Sequence, residues 1–143
     1  MNTLNKPAEK EAVRIPVQMK LSALWASLMF LYIYADFLSL YKPGQMEEMM
    51  AGRMGPLPVT QGSVLAAAVL VLIPALMIFL SPALKPGAAR WANIIVGLLY
   101  TAVNIWNVLG ETWAFYLLFG IVEIALTLLI VGYAWKWRSP RAD

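Results

Sequence analysis

The sequence has 143 residues, of which 61% are hydrophobic and 13% charged, whereas a soluble domain carries about 25% charged residues. This composition excludes an ordinary water-soluble domain and favours a single membrane domain. The net charge of +3 does not indicate nucleic-acid binding, because Lys and Arg stand at the ends of apolar runs, where lipid head groups explain them. Without Cys or His, the chain lacks the usual thiol nucleophile, general base and zinc ligand. We predict no catalytic residue, metal or cofactor.

Four apolar runs follow a polar N-terminal segment. A helix needs about 20 residues to cross the hydrocarbon core, and only helices or closed barrels satisfy their backbone polar groups there. We therefore predict an all-α fold, a four-transmembrane-helix bundle with short connections and one longer outer loop. The predicted parts are a cytoplasmic N-terminal segment at 1–20, a membrane domain at 21–137 with spans at about 21–41, 62–81, 91–110 and 113–135, and a cytoplasmic tail at 138–143.

The positions of Lys and Arg predict the orientation. Only Lys42 and Arg53 fall on the outer side of this topology, and the other nine of the 11 basic residues share the side of both termini. The positive-inside rule places that side in the cytoplasm. We expect a multi-pass protein of the cell inner membrane with both termini cytoplasmic.

The outer connection, residues 42–61, is rich in methionine. If it is helical, Met46, Met49, Met50 and Met54 lie near one face. This pattern is typical of an interfacial helix or of a segment that covers the bundle, and an amphipathic loop resting on lipid is the alternative. Thioethers also suit Cu(I), but the absence of Cys and His disfavours a copper site.

Two carboxylates, Asp36 and Glu123, fall within spans. An acidic residue at the centre of a membrane helix costs roughly 2.5–3.5 kcal/mol on insertion scales, so it usually faces the bundle interior and has a partner or a function. No Lys or Arg lies deep within a span to pair with them. We expect protonation, a bound cation or hydrogen bonds to neighbouring polar groups.

Helical phase, at 100° per residue, places polar and small residues on one stripe of each span, and such stripes pack inward. The stripes predict a polar interior that is open toward the outer side and ends at Glu123. The candidate ligand- or ion-binding residues are Asp36, Glu123, Asn104, Tyr32, Tyr116 and Thr101. As alternatives, the amide and hydroxyl groups only join helices, and the tyrosines are membrane-interface aromatics.

The segments LYIYADFLSLYKPG, TQG, IP, RWANIIVG and IVEIALTLLIVGYAWKW resemble a bacterial family of small four-span integral membrane proteins of unknown function. The resemblance covers about Leu21 to Trp137. It implies four helices and a bacterial cytoplasmic membrane, and it implies no activity. A looser, architectural similarity links the chain to DoxX-like proteins, which are also four-span and sometimes tied to quinone-linked redox processes.

Three functions stay open at this point. The first is transport of a small solute or cation, linked to protons, through a polar bundle interior in an oligomer. The second is a non-catalytic accessory or assembly subunit of a larger membrane complex. The third is a quinone- or lipid-binding DoxX-like protein, with a carboxylate as acid or base if it is an enzyme. In each case we expect the lipid bilayer as a partner, together with other copies of the chain or a larger membrane complex.

Overall fold

The computed structural model describes residues 14–137. Its elements are α1 (Val17–Ser39), α2 (Gln45–Met50), β1 (Arg53–Met54), β2 (Leu57–Pro58), α3 (Gln61–Ala83), α4 (Pro86–Val108) and α5 (Ala114–Lys136). Helices α1, α3, α4 and α5 have 23 residues each and are long and apolar enough to cross a membrane. The predicted all-α bundle is confirmed, and the chain is a multi-pass membrane protein.

Two of the long helices begin several residues before the predicted spans. Helix α1 starts at Val17, directly after Pro16, and α4 starts at Pro86 itself. Proline suits the first turn of a helix because the amide hydrogen it lacks would have no partner there. The membrane boundaries within these helices stay a prediction. Of the predicted flanking segments, residues 1–13 and 138–143 lie outside the described part of the chain.

The long helices alternate in direction around the bundle. Helix α1 packs against α3 and α5, and α4 packs against the same two helices, with the α3–α4 contact the least extensive of the four. We call the end that carries residues 40–60 and 109–113 the connection end, and the opposite end the terminal end. At the terminal end, Gln18 Nε2 donates to the Leu84 carbonyl, 3.0 Å away, and Arg90 Nε donates to the Ala134 carbonyl at 3.2 Å.

Helix α3 contains two internal prolines, and each leaves a backbone carbonyl without its helical donor. Pro74 cannot donate to Leu70, and Pro82 cannot donate to Ile78. Side chains of neighbouring helices replace both donors, because the Tyr100 hydroxyl of α4 bonds the Leu70 carbonyl and the Ser22 hydroxyl of α1 bonds the Ile78 carbonyl at 2.7 Å. The two prolines are thereby tolerated in a continuous helix, and each donor also joins α3 to another helix.

The bundle is packed most closely in its terminal half. Trp25 is fully buried, and its indole Nε1 donates to Asn93 Oδ1 at 2.7 Å. The Ser81 hydroxyl lies 3.1 Å from the same oxygen, and Asn93 Nδ2 donates to the Ala89 carbonyl. The polar atoms of this buried amide are therefore all bonded, which joins α1, α3 and α4.

The connection half of α3 is packed differently. Its buried residues, Pro74, Met77 and Ser81, all lie in the terminal half, and none of residues 61–73 is buried. At the same level the other long helices do have buried residues, including Ala35 on α1 and Tyr100 on α4. From Pro74 toward the connection end, α3 is therefore less covered by its neighbours than the other long helices are.

Small residues bring α4 and α5 together. A Cβ added to Gly97 would lie 2.8 Å from a methyl group of Val131, and one added to Gly120 would lie 2.1 Å from Val108 Cγ1. Neither position has room for a side chain without a shift of its neighbour. These close approaches account for the extensive packing of α4 on α5.

The connection between α1 and α3, predicted to lie on the outer side, is only partly helical. Helix α2 ends at Met50, and Gly52 and Gly55 then adopt positive φ angles of 74° and 57°, which favour glycine. The chain turns there into the antiparallel pair β1–β2. The predicted single helical face of four methionines is therefore wrong for Met54, which lies on β1, separate from the other three.

The outward faces of the four long helices are apolar. Large side chains such as Phe30, Phe79, Ile95 and Leu118 are each at least 60% exposed on the isolated chain. A water-soluble monomer rarely exposes such extended apolar surface. Contact with a lipid bilayer accounts for it.

Candidate functional site

A cavity lies between the helices in the connection half of the bundle. Its volume is about 240 Å³, and all four long helices contribute to its wall. The lining residues are Tyr32, Ala35, Asp36, Met54, Ala67, Leu70, Val71, Tyr100, Val103, Asn107, Tyr116 and Glu123. The cavity lies at the level where no residue of α3 is buried.

Glu123 is the deepest carboxylate of the cavity. It is 5% exposed, and its Oε1 has no hydrogen-bond partner. In the described residues this atom shares that condition with one other buried side-chain atom, Nδ2 of Asn104. Unpaired buried polar atoms are rare and costly, so the Glu123 carboxyl group is the candidate in this cavity for a bond that the described residues do not supply.

Asp36 lies at the mouth of the same cavity. It is exposed, and it also lines a wider opening of about 810 Å³ at the connection end. Met54, Asn107 and Tyr116 line both spaces too. The cavity and the wider opening, which we call the vestibule, are therefore continuous through these four side chains.

Three tyrosines surround the two carboxylates. The Tyr32 hydroxyl donates to Asn104 Oδ1 at 2.6 Å, and Asn104 is fully buried behind it. Tyr116 lies between the cavity and the vestibule, and Tyr100 bonds the Leu70 carbonyl on the opposite wall. Aromatic faces and carboxylate oxygens together make a site that favours positive charge.

A charged pair stands at the rim of the vestibule. Lys42 Nζ lies 2.8 Å from Glu111 Oε2 and 4.7 Å from the centre of the Tyr116 ring. Burial disfavours the charged form of Glu111, but the hydrogen bond from Lys42 and the backbone N–H groups of Thr112 and Trp113 outweigh this and hold its pKa below the usual value. Among residues 14–137, Lys42 is the one basic residue that lines the vestibule, and it is thus already paired.

The opposite end of the cavity is closed. Beyond Glu123 toward the terminal end, Thr127 and Ile130 of α5 are fully buried, as is Trp25 of α1. The hydrogen-bonded cluster around Asn93 fills the next level. The cavity therefore opens toward the connection end and does not continue through the bundle.

The structure brings most of the sequence-predicted candidates to one place. Tyr32, Asp36, Tyr116 and Glu123 line the cavity, and Asn104 supports Tyr32 from behind. Thr101 does not line it, because its hydroxyl donates to the Gly97 carbonyl of its own helix at 2.8 Å. Whether these residues bind a ligand stays a prediction.

Sequence reasoning missed three polar or polarisable lining residues, Met54, Tyr100 and Asn107. Tyr100 and Asn107 lie on the same stripe of α4 as Asn104, which was a usable signal. Tyr100 had a second signal, because the carbonyl freed by Pro74 requires a donor from a neighbouring helix. Met54 had none, since its position depends on how the connection folds over the bundle.

Comparison with known proteins identifies the family of the chain but no activity. A family model described as a family of unknown function, DUF6326, matches residues 13–142. The chain belongs to this family. No curated protein and no solved structure matches the chain. The expected membership of an uncharacterised family is confirmed at this level, and the looser similarity of this DUF6326 chain to DoxX-like proteins stays a prediction.

Proposed function

We propose that this protein binds a small organic cation, of the amine class, in the cavity between Asp36 and Glu123, as the first step of proton-linked transport. The observation that carries the proposal is Glu123, which lines a preformed cavity, is only 5% exposed and keeps a buried carboxyl oxygen, Oε1, without a hydrogen-bond partner. Ligand sites are typically concave, mostly apolar and provided with a few converging polar groups, and this cavity has those properties.

The charge balance of the cavity supports a cationic ligand. In the part of the chain that the structure describes, two carboxylates and no Lys or Arg line the cavity, and Lys42 at the rim is already held by Glu111. An ammonium group donates hydrogen bonds to carboxylate oxygens and is attracted to tyrosine ring faces. A carboxylate ligand would instead meet like charges in a low-dielectric space, which is unfavourable.

The same carboxylates support coupling to protons. A carboxyl group at this depth is costly as an unpaired anion, so a proton can occupy it when no cation is bound. Binding of the amine as a cation would then release that proton. This exchange gives the simplest link between the ligand and a proton gradient.

Translocation requires more than the structure described above, because the terminal half of the bundle is packed closed around Trp25 and Asn93. We infer that several copies of the chain act together and that the terminal half opens during the cycle. Light scattering of the purified protein in detergent would measure the number of copies. A strictly monomeric protein that still transports would contradict the inference on assembly.

Calorimetry on nanodiscs would test binding, with a series of primary amines from propylamine to dodecylamine as probes. We expect at least one amine to bind, with proton release seen as a dependence of the heat on buffer. Glu123→Gln should weaken binding at least tenfold and remove most of the proton release, and Asp36→Asn should weaken binding as well. Glu48→Gln, an exposed carboxylate on α2 outside the cavity and the vestibule, is the matched control and should behave as wild type.

Two results would overturn the proposal. The first is that no amine of the series binds to wild type. The second is that Glu123→Gln and Asp36→Asn bind as tightly as wild type. If in addition the chain purified in a gentle detergent only together with other membrane subunits, the accessory-subunit function would be favoured. Proteoliposomes loaded with a pH dye would then test transport, since amine-driven proton movement should be absent in Glu123→Gln.

A further inference from the structure

The wall of the cavity is divided by polarity. Its carboxylates and two of its tyrosines come from α1 and α5, namely Tyr32, Asp36, Tyr116 and Glu123. The wall on α3 is entirely apolar and consists of Ala67, Leu70 and Val71. A ligand that fills this space therefore meets polar groups at one side and hydrocarbon at the other.

The apolar wall is also open to the outside. Leu70 and Val71 line the cavity, yet they are 44% and 41% exposed on the isolated chain. The α3–α4 contact is the least extensive in the bundle, and no residue of α3 before Pro74 is buried. The connection half of α3 and the facing part of α4 thus flank an opening, which we call the lateral cleft.

The depth of the lateral cleft decides what lies outside it. Leu70 is the tenth residue of α3, which begins at Gln61, so it lies about 14 Å along the helix axis at a rise of 1.5 Å per residue. The hydrocarbon core of a bilayer is about 30 Å thick. With the hydrocarbon core beginning near residue 62, as the predicted span has it, the cleft faces lipid chains near the middle of the membrane, whereas the vestibule faces the connection end.

The geometry points to an amphiphilic ligand that reaches the cavity from the bilayer. We propose that the physiological ligand is a long-chain amine, with its ammonium group between Asp36 and Glu123 and its hydrocarbon tail passing out between Val71 of α3 and Val103 of α4. This inference rests on the proposed amine binding and adds the ligand class and the access route. The hydrogen bond between Tyr100 and the Leu70 carbonyl holds α3 to α4 beside the cleft and sets how far the two helices part.

Photolabelling in phosphatidylcholine nanodiscs, combined with cross-links between introduced cysteines, would test the inference. The chain has no cysteine of its own, so each cross-link forms only at the chosen positions. The probes are a dodecylamine and an ethylamine that carry the same diazirine next to the nitrogen. Peptide mapping should locate the long-chain label near Asp36 and Glu123. The short-chain label should be at least tenfold weaker there at equal concentration.

Cross-links would then test whether the long-chain amine enters through the lateral cleft. The pair Val71→Cys and Val103→Cys, joined by a short bismaleimide, should reduce long-chain labelling at least fivefold, whereas the same pair blocked with N-ethylmaleimide should retain most of it and shows that the variant folds. The matched control joins Glu48→Cys to Arg53→Cys, whose native side chains lie 4.0 Å apart on the connection and outside the cavity lining. This second link should leave the labelling unchanged.

Each contrary result has a distinct meaning. If both amines label the cavity equally, or if the link between positions 71 and 103 leaves long-chain labelling unchanged, the lateral route and the amphiphilic ligand are wrong while amine binding stands. If neither amine labels peptides that line the cavity, the proposed function itself is wrong.

Discussion

The hydrogen bond from Tyr100 to the Leu70 carbonyl offers a direct test of how α3 tolerates its central proline. Tyr100→Phe removes the donor and little else. The ring is 1% exposed and packs edge-on against Trp25, with ring centres 6.1 Å apart, and phenylalanine keeps that contact. The Leu70 carbonyl would then have neither its helical donor, which Pro74 lacks, nor the hydroxyl.

Two ranges of free energy bear on the loss of stability expected for Tyr100→Phe. A buried polar group left unsatisfied in a protein interior costs about 1–3 kcal/mol. Hydrogen bonds between membrane helices average about 0.6 kcal/mol, with a maximum near 1.7 kcal/mol, because the separated helices in the membrane also find partners. The second range applies here, because the Leu70 carbonyl lies in the membrane in the separated helix as well, so folding does not remove it from water, and the Tyr100 hydroxyl finds other partners there. We expect Tyr100→Phe to lower the free energy of unfolding by about 1 kcal/mol.

A double-mutant cycle makes the reasoning refutable. Pro74→Ala restores a backbone N–H to bond Leu70, so Tyr100→Phe should cost much less in that background than in wild type. Unfolding by sodium dodecyl sulfate in mixed micelles gives the four free energies, and the cycle cancels the void that Pro74→Ala leaves. Tyr41→Phe, at a tyrosine that is 73% exposed, controls for loss of a hydroxyl alone. Additive costs in the cycle would show that the hydroxyl does not replace the missing helical donor.

Three further predictions use the same unfolding assay. Gly97→Ala should destabilise the fold by about 1–3 kcal/mol through overpacking, because its Cβ would lie 2.8 Å from a methyl group of Val131. Gly132→Ala is the control, because no atom lies within 4 Å of the added Cβ, and it should be neutral or stabilising by about 0.5–1 kcal/mol. Equal effects of the two substitutions would contradict the packing argument. The pKa of Glu111 lies below its ordinary value of 4.5. Its ion pair therefore stabilises the folded protein above that pH, and this stabilisation is lost as the pH falls through the folded-state pKa. Wild type should therefore lose more stability than Glu111→Gln on acidification, and parallel curves would refute this. Glu123→Leu should raise stability while amine binding disappears, since it removes an unpaired buried oxygen, and a destabilised variant would indicate a structural carboxylate.

Helical phase predicted much of the arrangement because a membrane helix has one inward stripe and few polar residues with which to build it. Asp36 and Glu123 come to one cavity for that reason. Phase does not tell whether a hydroxyl reaches a neighbour or its own helix, so Thr101, which bonds Gly97 one turn back, was placed in the candidate site although it does not line the cavity.

The cavity itself could not be predicted from the sequence pattern. Its volume depends on how closely the connection half of α3 packs against α1 and α4, which a sequence pattern does not specify. Pro74 marks in hindsight where this half begins, but a proline within a membrane helix is compatible with a straight, kinked or displaced segment. Met54 likewise reaches the cavity only because Gly52 and Gly55 turn the connection back over the bundle.

The two halves of the bundle treat buried polar groups in opposite ways, and this contrast is the strongest argument that the connection half is a site. In the terminal half, Asn93 is bonded through both ends of its amide to three partners, as expected of a polar group that joins helices. In the connection half, Asn104 and Glu123 each keep a buried polar atom without a partner, beside a cavity that neighbouring side chains do not fill. Packing alone would favour an apolar side chain at position 123. A carboxyl group at this position, in the wall of a cavity and with an unpaired oxygen, agrees with the proposed binding of a donor-bearing ligand better than with a role in packing alone.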